Sequence, residues 1–304
     1  MRLLNTSNYI LRDFTSSDIP KYAILSHRWE GQELTFQELQ AINLGLDQSP
    51  QISDERGHMA TGWSKIKGAC TQAWKDGYEW IWIDSCCIDK TSSAELSEAI
   101  NSMFIWYKNA EVCYAYLSDV HFDYTEYLLD NVDWSPDDFR SSKWFTRGWT
   151  LQELLAPRYL RFFSHRWADL GDRATLWPLV SDTTGIEDWS GFKTATIAQK
   201  MSWASRRETT RTEDRAYSLM GLFGVNMPPL YGEGENAFIR LQLEILRISD
   251  DESIFAWEDP KDDTGGLLAR SPEAFRNSGD VRRLDNTHYE KPPYSMTNKG
   301  LRVE

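Results

Sequence analysis

The sequence predicts an α/β protein: a parallel sheet flanked by helices over the first ~170 residues, followed by a C-terminal helical block. Three observations predict it. Four compact apolar runs, Tyr22–Ser26, Trp80–Asp84, Val112–Leu117 and Tyr159–Phe163, have the length and continuity of buried strands. The segments between them carry helical periodicity, and strands alternating with helices favour a parallel sheet. From about residue 172 onward the apolar pattern turns to helical spacing.

The elements follow in order. The first 21 residues contain turns and a short edge strand in Arg12–Pro20. The first buried run ends in His27-Arg28-Trp29-Glu30-Gly31, a polar and aromatic loop. Thr35–Leu39 starts a short helix, and residues 43–57 are an exposed loop. Trp63, Ile66, Cys70 and Ala73 or Trp74 repeat at helical spacing, with Gly77 placed to end that helix. Ser92 or Ser93 caps the next helix, whose stripe is Leu96, Ile100, Met103 or Phe104 and Tyr107. Residues 120–142 are acidic and turn-rich, an insertion. Further helices are expected over Leu176–Thr184, Thr196–Arg206, Asp214–Phe223 (ended by Gly224) and Glu235–Ile248. Residues 258–268 are loop-like, and the final PPYSMTNKGLRVE resembles the start of a strand that is cut off, as in a fragment of a longer chain.

Composition bounds the function. The chain has 304 residues, 41% of them hydrophobic, with 14 Trp, so a sizeable core is within reach. A net charge of −13 argues against non-specific binding to nucleic acid or an anionic membrane, which both need a basic surface. Cys70, Cys86, Cys87 and Cys113 form no CxxC pair and have no His at zinc-ligand spacing, so no metal is expected. They read as reduced, buried thiols of a cytoplasmic protein. No apolar signal core opens the chain, and no run reaches the ~18 residues of a membrane span. P-loop, GxSxG and HExxH patterns are absent, and GEGENA at 232–237 follows no strand, so it fails as a dinucleotide fingerprint.

The segment Arg147–Pro157, RGWTLQELLAP, organises the rest. Trp149, Leu151, Leu154 and Leu155 suit one buried face of a short helix that Pro157 stops. Thr150 and Glu153 have capping-box spacing, and Glu153 lies one turn past Trp149. Glu153 is therefore a cap or a reactive carboxylate, and spacing alone leaves both open. In an open parallel sheet ligands bind beyond the carboxyl ends of the strands. Those ends carry Ser26-His27-Arg28-Trp29, Asp84-Ser85-Cys86 and Ser118-Asp119. Arg28 suits a phosphate, and Trp29 or Trp149 offers a stacking face. The plainer readings are a hydrogen-bonding His27, a loop-capping Asp84 and small buried thiols at Cys86 and Cys87. The mixed charges Arg206-Arg207-Glu208, Arg211 and Glu213-Asp214-Arg215 read as a salt-bridged helix junction.

MRLLN at the start, IPKYAILSHRWEGQELTFQEL at 19–39, GYEWIWIDSCCIDK at 77–90, RGWTLQELLAP at 147–157, RTEDRAYSLMGLFGVNMPPLYGEGENAFIRLQLEIL at 211–246 and SIFAW at 253–257 resemble the fungal heterokaryon-incompatibility (HET) domain. The likeness runs from the first residue to about 260. It is greatest to HET domains that form the N-terminal effector of fungal NOD-like receptors, ahead of a nucleotide-binding oligomerisation module. The resemblance implies a distant TIR-like, flavodoxin-like core over 1–170, a helical extension over 171–257, and a linker with the start of a following segment over 258–304. It implies a cell-death effector of incompatibility and innate immunity that self-associates. Trp149-Thr150-Leu151-Gln152-Glu153-Leu154 resembles the TIR segment whose glutamate is catalytic in NAD-cleaving members, so Glu153 is the implied catalytic residue. NAD is then substrate, not cofactor, and Ser26, His27, Arg28, Trp29, Asp84, Ser85, Cys86, Arg147 and Trp149 are the expected binding residues. The alternative is a non-catalytic homotypic signalling domain that recruits partners. The insertion before Trp144 and the helices after 170 depart from the TIR pattern.

Overall fold

The computed structural model describes residues 1–44, 61–122, 134–258, 266–283, 295–297 and 300–302. The chain divides into two compact units, one of residues 1–145 and 156–183, the other of residues 146–155 and 184–304.

The first unit is built on one seven-stranded sheet. Its strands are β1 (Arg2–Asn5), β2 (Leu11–Asp13), β3 (Tyr22–His27), β4 (Trp80–Trp82), β5 (Val112–Tyr116), β6 (Leu160–Phe163) and β7 (Asp169–Asp172), in the order β2-β1-β4-β3-β5-β6-β7. β4, β3, β5 and β6 run parallel. Counted along the chain, these four have the spatial order 2-1-3-4, the flavodoxin-type winding that places a ligand crevice where the order reverses. The mixed α/β class read from the sequence is borne out. The four expected strands are the four parallel ones, because only strands covered on both faces are continuously apolar. In β3 all six residues are buried.

Helices Thr61–Lys75 and Ser93–Asn109 connect the parallel strands. Ser92 caps the second by accepting from the Glu95 amide. Gly77, at φ +86°, takes the left-handed conformation after the first. Thr35 and Glu38 form a reciprocal capping box at the head of Phe36–Asn43. Three details differ from expectation. β1 and β7 are antiparallel additions too short to signal themselves, although Leu3 and Leu4 of β1 are fully buried. β4 stops at Trp82, short of the expected strand end at Asp84, and Asp84–Cys87 forms a single helical turn. Of the expected loop at 43–57 and the insertion at 120–142, residues 45–57 and 123–133 lie outside the described residues. Within the rest of the insertion, Ser135 caps a short helix, Pro136–Ser141.

The second unit is helical. Ile197–Ala204 begins with a Thr196/Gln199 capping box, and its first amides also donate to Asp251 Oδ2 at 2.8 Å and Ser253 Oγ at 3.0 Å. The helix expected over Asp214–Phe223 is broken into Asp214–Tyr217 and Met220–Phe223, the latter ended by left-handed Gly224. Asn236–Ile248 is the amphipathic helix predicted, burying Phe238, Leu241 and Ile245. Its buried Gln242 exchanges hydrogen bonds with the Ala269 backbone at 2.7 and 3.1 Å, which satisfies a polar group inside the core. The expected terminal strand is a hairpin, Ser295–Thr297 against Gly300–Arg302.

Candidate functional site

Polar chemistry gathers in two places, one in each unit. In the first unit it gathers where the parallel strands end. The register that sets Ser26 beside Ala115 and His27 beside Tyr116 brings both to the carboxyl end of β3. Ser26 is fully buried, and its hydroxyl accepts from the Trp144 indole at 2.9 Å. The next residue turns toward β4. His27 Nε2 and Asp84 Oδ1 are 2.9 Å apart, and the Trp29 indole N–H donates to Asp84 Oδ2 at 2.9 Å. Asp84 is thus held by both oxygens. Burial alone would raise its carboxyl, but Lys90 and His27, with the hydrogen bonds from His27 and Trp29, hold it well below the usual carboxylate range. An ionised Asp84 accepts only, so His27 Nε2 carries the shared proton.

Lys90 completes this group. Its ammonium lies 3.4 Å from the centre of the Trp29 ring, a close cation–π contact. Burial pulls the ammonium down from the usual lysine value, and the charge of Asp84 acts against that. Among the described residues, Lys90 Nζ, Ser85 Oγ and His27 Nδ1 are buried without a hydrogen-bond partner. Trp29 remains 41% exposed, so part of its ring is open to a stacking ligand. Arg28 is half-buried, and its carbonyl accepts from Lys65, which forms a buried pair with Glu33 at 2.5 Å. Cys86 is pushed well up by its hydrogen bond to Cys87 and by burial, which suits the small-hydrophobe reading. All four cysteines are free and buried.

The second unit holds the other expected residues. The helix Thr150–Leu155 contains Glu153, which is 6% exposed. Thr150 stands inside the first turn. Its hydroxyl donates to the Arg147 carbonyl at 2.9 Å and accepts from Arg207 Nη1 at 2.9 Å. Arg207 is buried, also donates to the carbonyls of Arg147 at 3.0 Å and Trp203 at 3.2 Å, and interacts with the charge of Glu153. Burial brings its guanidinium down to about 9, with Glu153 working in the opposite direction. The Trp149 side chain bonds to Asp214, which also accepts from the Tyr231 hydroxyl at 3.0 Å. Asp214 is raised by burial against those two hydrogen bonds and the charges of Arg147 and Arg211. Arg147 Nη1 also donates to the Thr210 hydroxyl at 2.9 Å. Glu213 accepts from the amides of Gly232 and Gly234 at 2.8 and 3.1 Å, so the glycines of GEGENA shape a turn around a carboxylate.

His27, Trp29 and Asp84 are therefore brought together, as are Arg147 and Trp149 with Asp214. Sequence reasoning missed Lys90, Arg207 and Asp214. Lys90 follows Asp84 by six positions, and no motif marks it. Arg207 and Asp214 fall in the mixed-charge run that reads as a salt-bridged helix junction, and nothing in their spacing reveals that each is buried.

Comparison with known proteins now adds the lineage. Residues 22–138 match the family model described as "Heterokaryon incompatibility protein (HET)". The chain carries a HET domain. That match contains Ser26–Trp29, Asp84 and Lys90. Over 275 residues, 86% of its length, the chain is 41% identical to the "Vegetative incompatibility protein HET-E-1" of Podospora anserina. It spans about a fifth of that relative, 19% of its length. No solved structure matches. Among the described residues, no helix of the HET protein is long and apolar enough to cross a membrane, and no cluster of His, Cys, Asp and Glu could hold a metal ion.

Proposed function

We propose that this HET domain is a cell-death effector of heterokaryon incompatibility that, when self-associated, cleaves NAD at the bond between nicotinamide and ribose. The observation that carries the reading is the Asp84-centred group at the carboxyl ends of the parallel strands: a shared carboxylate, an oriented imidazole, a partly open indole and a buried ammonium. Such an arrangement suits a nucleotide, with a ring to stack, hydroxyls to bind and phosphates to neutralise. Breaking the glycosidic bond to nicotinamide leaves an oxocarbenium-like ribose, which a carboxylate stabilises. Glu153 is the residue we assign to that role, on its place in the TIR-like segment Trp149–Leu154. Self-association controls the activity, since a constitutively NAD-consuming protein would kill its host. In the full-length protein a nucleotide-binding oligomerisation module supplies the clustering.

A specific observation favours a second reading. Arg207 already offsets the charge of Glu153 and ties down the turn at Arg147–Thr150. A glutamate so engaged serves the fold, and the domain then acts as a homotypic scaffold that recruits partners. The experiment is nicotinamide release from NAD by the purified, artificially clustered chain beside Glu153→Gln. Turnover that disappears in a variant that still folds and self-associates supports cleavage. No turnover from a folded, clustered wild type overturns it and leaves the scaffold.

A further inference from the structure

Lys90 is the least explained group in the molecule. Its ammonium has three donors, is shielded from solvent, and uses none of them among the described residues. A buried cation in that state demands either a bound water or an anionic oxygen. Two other unpartnered buried atoms belong to the residues around Asp84. Trp29 supports the ammonium from one side at 3.4 Å while its own N–H is committed to Asp84. Ser85 Oγ, in the helical turn that opens with Asp84, is an unused donor on a residue 2% exposed. His27 Nδ1, on a residue 6% exposed, is likewise buried without a partner, while Nε2 is engaged with Asp84. One cation, one hydroxyl and one imidazole nitrogen, each unpartnered, suit the phosphate and hydroxyls of a phosphorylated ribose.

We propose that Lys90 is the anion-binding residue of this site, taking a phosphate oxygen of a nucleoside diphosphate, with Ser85 as a second donor and His27 Nδ1 receiving a ribose hydroxyl. The assignment rests on the reading of this rim as the NAD site and names the group that holds the diphosphate. Arg28, the phosphate ligand suggested by sequence, is then secondary: it is half-exposed, whereas the Lys90 ammonium is already desolvated and loses less water on binding.

The test is calorimetric titration of the 304-residue chain with ADP-ribose, with NAD turnover of the artificially clustered chain measured in parallel. Lys90→Met keeps the aliphatic stem and should weaken binding roughly 10- to 100-fold, the loss of a charge-assisted hydrogen bond. It should also flatten the salt dependence, while Lys90→Arg retains most of the affinity. Ser85→Ala, which barely changes volume, should weaken binding less and serves if Lys90→Met does not fold. ADP-ribose binding unchanged in Lys90→Met, or in Ser85→Ala where Lys90→Met is unfolded, overturns the proposal, and turnover continuing in that variant leaves the cleavage reading standing. A wild type that binds no ADP-ribose also overturns it. Lys90-dependent binding without any NAD turnover supports the subsite and sinks cleavage alone.

Discussion

Replacing Arg207 by Met asks whether Glu153 is held as part of the fold. The guanidinium is 8% exposed and donates to Trp203, Arg147 and Thr150 at 3.2, 3.0 and 2.9 Å. Met fills most of the space of the stem, so packing is nearly conserved and electrostatics dominate the change. Two effects oppose each other. Removing Arg207 abolishes a costly desolvation, visible in its depression to about 9. It also removes the cation that interacts with the charge of Glu153, 6% exposed, and one donor to the Arg147 carbonyl and the Thr150 hydroxyl, which still bond each other. Breaking a buried pair from one side typically costs about 3–5 kcal/mol, because the charge left behind outweighs the relief. We therefore expect Arg207→Met to lower stability by about 3–5 kcal/mol, equivalent to roughly 10 °C in melting temperature. Arg207→Met combined with Glu153→Gln should recover at least ~2 kcal/mol of that loss, since both charges are then gone. Urea unfolding of the four proteins of this cycle, followed by circular dichroism, measures the coupling. Raising salt should barely change it, because buried pairs are poorly screened. Additive effects, or an Arg207→Met protein within about 1 kcal/mol of wild type, would refute the reasoning. The cycle also guards the activity assay, because a Glu153→Gln protein that has lost its fold says nothing about catalysis.

Other consequences are open to direct measurement. Asp84 has a folded-state value held below the usual range, so the unfolded chain binds the extra proton as pH falls through ~4. Its stabilisation is present above that pH and is lost on acidification, and Asp84→Asn should flatten the acid limb of a stability–pH curve. Gly68→Ala would set a Cβ well inside van der Waals contact of the Trp167 indole nitrogen, and that ring stacks on Tyr116 at 4.9 Å. The indole must move, so we expect a loss of about 1–3 kcal/mol and a changed near-ultraviolet spectrum, and an unchanged melting curve would contradict it. The four thiols should resist alkylation at neutral pH until denaturant is added, because each is buried and Cys70 and Cys86 are pushed up. Rapid labelling of Cys86 in the folded protein would reverse that view.

How much of this was legible in the sequence depends on what each feature needs in order to leave a pattern. β3, β4, β5 and β6 were readable because burial on both faces forces continuous apolar runs. β1 and β7 were not, since four residues on an antiparallel flank carry too little periodicity to separate from a turn. The break between Asp214–Tyr217 and Met220–Phe223 was hidden for the opposite reason: the apolar spacing runs straight through it. At the rim, strand ends followed by His, Trp and Asp pointed to His27, Trp29 and Asp84, because topology alone brings such ends together. Lys90 and Arg207 escaped because a charged residue in sequence defaults to solvent. What distinguishes them is desolvation, a property of the packed chain that no local spacing encodes. The same asymmetry bears on Glu153. Its position in RGWTLQELLAP marks it for attention, yet the partner that decides whether its charge is available, Arg207, lies 54 positions away. A motif can therefore nominate a carboxylate for catalysis, but its capacity to stabilise a cation depends on a distant, buried neighbour, and that neighbour makes the two readings of Glu153 separable by experiment.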